Sequence, residues 1–175
     1  MKHFAGHSYI RVKLLIFNRK EAGARQKAEA FGVETQYFPK SAFEQHPCEI
    51  VDFLKSAHID YILLAGFLLL IPAELVLAYQ EKILNIHPAL LPDFGGKGMH
   101  GHNVHKSVKE SGATKSGMTI HLVDLEYDSG KILFQARCPV WESDSESDIA
   151  VRVLKLEHLH YSLVAEQYIK SKKEK

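Results

Sequence analysis

Asn85 and His87 stand two residues apart in the segment Asn85-Ile86-His87-Pro88-Ala89-Leu90-Leu91-Pro92. In a strand, residues i and i+2 point to the same side, so the amide and the imidazole can address one atom. Pro88 and Pro92 stiffen the chain that leaves the pair. A bland reading stands beside this one: a strand-end Asn and His often do no more than satisfy nearby backbone groups. A second segment, Met118 to Gln135 (MTIHLVDLEYDSGKILFQ), carries Asp128 just ahead of Ser129-Gly130, a turn that can hold a carboxylate close to a sheet end. A carboxylate beside a histidine raises the imidazole's pKa and fixes its orientation. Taken alone, Asp128 reads as a turn residue.

Strand-like and helix-like stretches alternate along the chain, which argues for an α/β fold with a mostly parallel sheet. Tyr9 to Phe17 reads as a strand, Glu21 to Phe31 as an Ala-rich helix closed by Gly32, and Glu34 to Phe38 as a short strand. Ser41 is placed to cap a helix that Pro47 divides, and helical spacing resumes from Glu49 to Ala57. Asp60 to Ala65 is an apolar run of the kind found in strands buried on both faces. Pro72 opens a helix to about Tyr79. Lys82 to Ile86 is a strand ending at Asn85-Ile86-His87-Pro88, where open α/β sheets place their ligand crevices. The loop Asp93 to Gly101 (DFGGKGMHG) leads to a helix ending near Glu110. Met118 to Val123 alternates, with Thr119, His121 and Val123 on one face. Lys131 to Trp141 is a further strand, with antiparallel pairing open. Ser145 with Asp148 resembles a capping box, and the helix it starts puts Ile149, Val153, Leu156, His160 and Leu163 on one stripe.

The two chemical segments together resemble the folate-dependent formyltransferases: Asn85-Ile86-His87-Pro88 with Leu90-Leu91-Pro92, then His121, Val123, Asp128, Gly130 and Gln135 in order. The resemblance implies a Rossmann-like formyltransferase domain over residues 1–175. It assigns the catalytic positions to Asn85, His87 and Asp128, and places His121 in the same crevice. The implied reaction is acyl transfer of a formyl group from 10-formyltetrahydrofolate to a primary amine. Asn85 and a protonated His87 would donate hydrogen bonds to the oxyanion, and Asp128 would keep His87 charged.

Ala65 to Leu70 resembles the family loop that holds the pterin, which implies Gly66, Phe67, Leu68, Leu69 and Leu70 on the folate side, with Asp124. For the acceptor, the resemblance implies Pro88, His100, His121 and Glu157; a lone helix glutamate is otherwise a solvated surface residue. The absence of room for an RNA-binding or regulatory domain points to glycinamide ribonucleotide as the acceptor. The alternatives are another small amine, or folate binding without turnover. Relatives open with a strand and a Gly-rich phosphate loop, whereas Met1 to Phe4 resembles the end of the first helix. The expectation is therefore a chain lacking that strand and loop.

Composition agrees with an ordinary globular protein. Of 175 residues 46% are hydrophobic and 25% charged, and 22 Lys and Arg against 21 Asp and Glu leave a net charge of +1. No basic excess suggests nucleic acid. The longest apolar run, Tyr61 to Pro72, is too short to span a bilayer. Cys48 and Cys138 are too few for a disulfide framework, and His100, His102 and His105 lack a thiol or carboxylate to complete a metal set. Small-molecule substrates, no metal, no membrane, a cytoplasmic setting, and a monomer or homodimer are the resulting expectations.

Overall fold

The computed structural model describes residues 1–19 and 23–173. They divide into two units, one formed by residues 1–60 and 71–78, the other by residues 61–70 and those from 79 onward. The predicted start of the first helix, at Glu21, lies outside the described residues.

In the first unit, strands β1 (Leu14–Phe17) and β2 (Glu34–Tyr37) pair in parallel, and the rings of Phe17 and Tyr37 close the pair 5.5 Å apart. Helix α1 (Ala24–Ala30) joins them and ends where Gly32 turns at φ 65. The strand foreseen from Tyr9 begins only at Leu14, because the His7 imidazole takes the N–H of Ile10 and holds that stretch away from a ladder. Helices α2 (Lys40–Gln45), α3 (Pro47–Ser56) and α4 (Ala73–Ala78) follow. Ser41 lies inside α2 rather than at its cap. Pro39 holds the cap position, and its carbonyl accepts the Ala42 N–H at 2.9 Å. The Lys13 ammonium meets the Ala57 carbonyl at 2.6 Å, a cation on the negative end of α3. Met1 to Phe4 contains a single 3-10 turn, Lys2–Phe4.

The second unit carries the site. Its sheet runs β3 (Ile62–Leu64), β4 (Ile83–His87), β5 (Lys115–Leu122) and β6 (Ile132–Pro139). β3 and β4 are parallel; β5 and β6 are antiparallel to their neighbours. With the intervening helices this is the Rossmann-like α/β architecture. β3 is only half-buried, with Leu63 37% exposed, so the two-face burial read from its apolar run is corrected. An unbroken apolar run carries no period from which a covered face can be told.

β4 and β5 separate chemistry from core by alternation. Asn85, His87, Thr119 and His121 share one face, leaving Leu84, Ile86, Ile120 and Leu122 for the other. The core cluster joins Met118, Ile120 and Cys138 to Val108 of helix α5 (His102–Glu110) and to Ile149 and Val153 of helix α6 (Glu146–Lys173). The capping box forms: Ser145 Oγ accepts the Asp148 N–H at 3.2 Å, and Asp148 accepts the Ser145 N–H at 2.8 Å. The predicted stripe holds through Leu156 and His160, but Leu163 is 43% exposed. Farther along, Ala165 and Ile169 are the covered positions, where the Tyr168 hydroxyl donates to the Glu81 carbonyl.

Candidate active site

Register brings the polar face together. Asn85 lies directly opposite His121 and His87 opposite Thr119, across the antiparallel pair β4–β5. A register shift between Ile120 and His121 breaks the β5–β6 ladder there, the kind of bulge that re-aims a side chain beside a functional site. Asp128 reaches in from the β5–β6 connection, one carboxylate oxygen 3.5 Å from His87 Nδ1 and the other 3.5 Å from His121 Nε2. Asn85 Nδ2 is 3.1 Å from His121 Nε2. The side chains of His87, His121 and Asp128 are 4%, 3% and 11% exposed, whereas Asn85 is only half-buried.

Two backbone devices hold Asp128 in place. Its own φ is 54, a left-handed conformation that Asp tolerates better than most residues. A Cβ on Gly130 would stand 1.9 Å from the Leu122 carbonyl oxygen, so only glycine lets the turn close on the strand. From the other side the Asp93–Gly101 loop comes down on the cluster. The Gly96 N–H donates to Asp128 at 2.9 Å, and the Phe94 carbonyl accepts from His87 Nε2 at 2.8 Å. Gly95 lies where a Cβ would be 2.6 Å from Leu91 Cδ2 and 3.3 Å from Asp128 Cβ.

The partners fix the protons. Carbonyl oxygens only accept, so His87 carries hydrogen on Nε2 toward Phe94, and His121 carries it on Nδ1 toward Leu122, 2.8 Å away. The neutral His121 then offers the Nε2 lone pair to Asn85; protonated, it donates to Asp128. Burial pushes the His87 imidazole below its ordinary value, against the opposing pull of Asp128 and the Phe94 carbonyl. The sequence expectation that Asp128 keeps His87 charged is therefore corrected: desolvation outweighs the carboxylate. Burial alone would raise Asp128, but hydrogen bonds from His121 and Gly96 and the two imidazoles together bring it below the usual carboxylate range. The resting cluster is a carboxylate held between two imidazoles, with His87 neutral near pH 7.

Sequence reasoning missed the scaffold beneath this cluster. Thr119 Oγ1 donates to the Ala89 carbonyl at 2.7 Å and accepts from the Leu91 N–H and the Gln135 amide, each at 3.0 Å. Gln135 also donates to the Leu91 carbonyl at 2.9 Å. These bonds tie the chain after His87 to β5 and β6. The signal was present in the position of Gln135 within the motif.

The other predicted residues are placed less centrally. Pro88 follows His87 and is half-buried. Ala65 to Leu70 leaves the end of β3 as a half-exposed loop with Gly66 at φ 69, and Asp124 is exposed, accepting the Leu125 N–H. His100 is exposed on the Gly-rich loop, its backbone bonded to Gly98 and Asn103. Glu157 departs from the solvated-surface reading: it is partly covered, and burial raises its carboxyl above the ordinary value. Among the described residues no group of His, Cys, Asp or Glu is arranged to hold a metal ion.

Residues 3–165 match the formyl transferase family. The phosphoribosylglycinamide formyltransferase of Escherichia coli (strain K12) is 34% identical over 156 residues, which cover 87% of this chain and 71% of that one. The chloroplastic phosphoribosylglycinamide formyltransferase of Arabidopsis thaliana is 49% identical over 154 residues, covering 86% of this chain and 53% of its own length. The chain spans about half the length of the plant relatives it matches. Among solved structures, the phosphoribosylglycinamide formyltransferase of Brucella melitensis is 37% identical with a TM-score of 0.79, over 89% of this chain and 79% of that one. The Bacillus halodurans structure of the same name gives a TM-score of 0.85 at 27% identity, over 95% and 84%. With the Asn85–His87–Asp128 cluster in place and the match running through nearly its whole length, the chain belongs to the formyl transferase family, within the group of phosphoribosylglycinamide formyltransferases.

Proposed function

We propose that this chain, as one formyltransferase domain, moves the formyl group of 10-formyltetrahydrofolate onto the amine of glycinamide ribonucleotide, in purine synthesis. The observation that carries the reading is the meeting of Asn85, His87, His121 and Asp128 within 3.5 Å from two distant segments. Relatives named for this activity in E. coli and Arabidopsis support it.

The amine attacks the formyl carbon, the carbonyl oxygen gains charge, and the C–N bond to the folate breaks as the folate nitrogen takes a proton. Asn85 is the member of the cluster with open access, and its amide has a second N–H beyond the one facing His121. That N–H serves the developing oxyanion. Charge arriving on that oxygen favours the imidazolium form of His87, which Asp128 then steadies. Asp128, ionised at rest, draws the amine's proton through water onto the Asp128–His87 pair, which returns it to the folate nitrogen as the C–N bond breaks. The folate side falls to Gly66, Phe67, Leu68, Leu69, Leu70 and Asp124. The acceptor side falls to Pro88, His100, His121 and Glu157, where a partly desolvated carboxylate suits a ribose hydroxyl. No metal enters the reaction.

The test is formyl transfer by the full chain, measured with glycinamide ribonucleotide, with other small amines, and with no acceptor. Turnover confined to glycinamide ribonucleotide is the expected result. Folate binding without turnover on any amine would overturn the reading.

A further inference from the structure

We propose that the Tyr161 hydroxyl is a positioning group for this reaction, setting the end of β3 against Asn85. The inference rests on the formyl-transfer reading above. Tyr161 Oη lies 2.7 Å from the Leu64 carbonyl oxygen and 2.9 Å from the Leu84 carbonyl oxygen. Leu64 is the last residue of β3, immediately before the Ala65–Leu70 loop assigned to the pterin; Leu84 immediately precedes Asn85. The register places Leu64 itself opposite Asn85. One side chain from α6 is thus bonded to the backbone beside both halves of the chemistry.

The strand needs such a support. β3 has three residues and pairs with β4 in parallel, so its ladder supplies little to resist sliding. α6 is itself anchored, since Ile149 and Val153 are fully buried in the core cluster on which Tyr161 also packs. The hydroxyl is therefore delivered from a rigid element to a point where the last residue of β3 and the residue before Asn85 share a hydrogen-bonding partner. A phenol has a single proton, which it donates to one carbonyl or shares between the two, and burial raises its pKa so that it stays a donor at working pH.

The experiment compares Tyr161→Phe with Tyr168→Phe in the full chain. Tyr168 lies on the same helix and also donates to a backbone carbonyl, that of Glu81 at 2.8 Å, away from the cluster. Tyr161→Phe is expected to fold, to lose about tenfold in kcat and to raise the KM for the folate donor, because small displacements of reacting groups are costly. Its acceptor KM and pH profile should be unchanged. Tyr168→Phe should lower the melting temperature and leave both KM values and kcat alone. Wild-type kcat and donor KM in Tyr161→Phe would overturn the inference. So would a loss that tracks the unfolded fraction with both KM values unchanged. If the wild-type chain transfers no formyl group, the functional reading fails by itself, and calorimetric affinity for a folate analogue decides: equal affinity in wild type and Tyr161→Phe overturns the positioning role.

Discussion

At the scale of single residues, Asn85 and His87 share a strand face but differ in access. Asn85 is half open and is the proposed oxyanion donor, so Asn85→Ala should cut turnover at least about a hundredfold, with the melting temperature little changed. Single-turnover kinetics would check this, and near-normal rates would sink the oxyanion role. His87 is buried and held below its ordinary pKa by desolvation, with Asp128 pulling the other way. Removing that charge in Asp128→Asn should lower the His87 pKa further, moving the acidic limb of its titration to lower pH. Imidazole proton resonances followed against pH would show it; a limb that moves to higher pH contradicts an attractive Asp128 charge. Glu157 offers a third contrast. Its carboxyl is raised by burial alone, so the charged form costs stability as pH rises from the ordinary 4.5 through the folded value. Glu157→Gln should melt higher at pH 7 while weakening acceptor binding.

At the scale of elements, the strand that carries Asn85 and His87 was legible because an i, i+2 pair at a strand end needs only local geometry. The capping box at Ser145 was legible for the same reason, whereas the antiparallel pairing of β5 and β6 joins two segments, and local pattern leaves its direction open. The Phe94 carbonyl and Gly96 N–H were not, since backbone atoms carry no residue-type signal and reach the cluster through loop shape. The Thr119–Gln135 scaffold also escaped, because it links β5, β6 and the post-His87 chain across large separations in sequence. Ser41 misled because Pro39 two residues earlier was the better helix opener. Thr119→Val keeps the volume but strands the Leu91 N–H and the Ala89 carbonyl, and takes one of two partners from the Gln135 amide. Each orphaned buried group costs about 1–3 kcal/mol, so urea unfolding should report a loss of at least roughly 2 kcal/mol. Turnover should fall as well, since the chain after His87 loses its tie to the sheet. A double-mutant cycle with Gln135→Leu should show coupling; strict additivity would mean that the two side chains act independently.

At the scale of the molecule, stability against acid should fall in two separate windows. The first is set by histidines. His87 and His105 are both lowered by burial, so the unfolded chain binds protons more readily than the fold, and stability declines as pH falls below about 6.5. The second is set by the start of α6. Arg152 forms a two-pronged bond to Asp144 at 2.8 and 2.9 Å and lies 4.2 Å over the Trp141 ring. The Arg152 bond, with the Trp141 N–H, holds the Asp144 carboxyl down at about 2. A depressed carboxylate contributes stability in full above its unfolded value near 3.9, and loses it as pH falls toward the folded one. Arg152→Met removes the partner while keeping an apolar stem against Trp141, so the Asp144 pKa should return toward its ordinary value. Melting temperatures from pH 8 to pH 2 are then expected to show both declines in wild type. In Arg152→Met only the histidine decline should keep its full size, with the drop between about pH 4 and 2 flattened and starting from a lower plateau. An unchanged low-pH drop in Arg152→Met would assign the second window to other carboxylates, Asp148 with its Ser145 cap first among them.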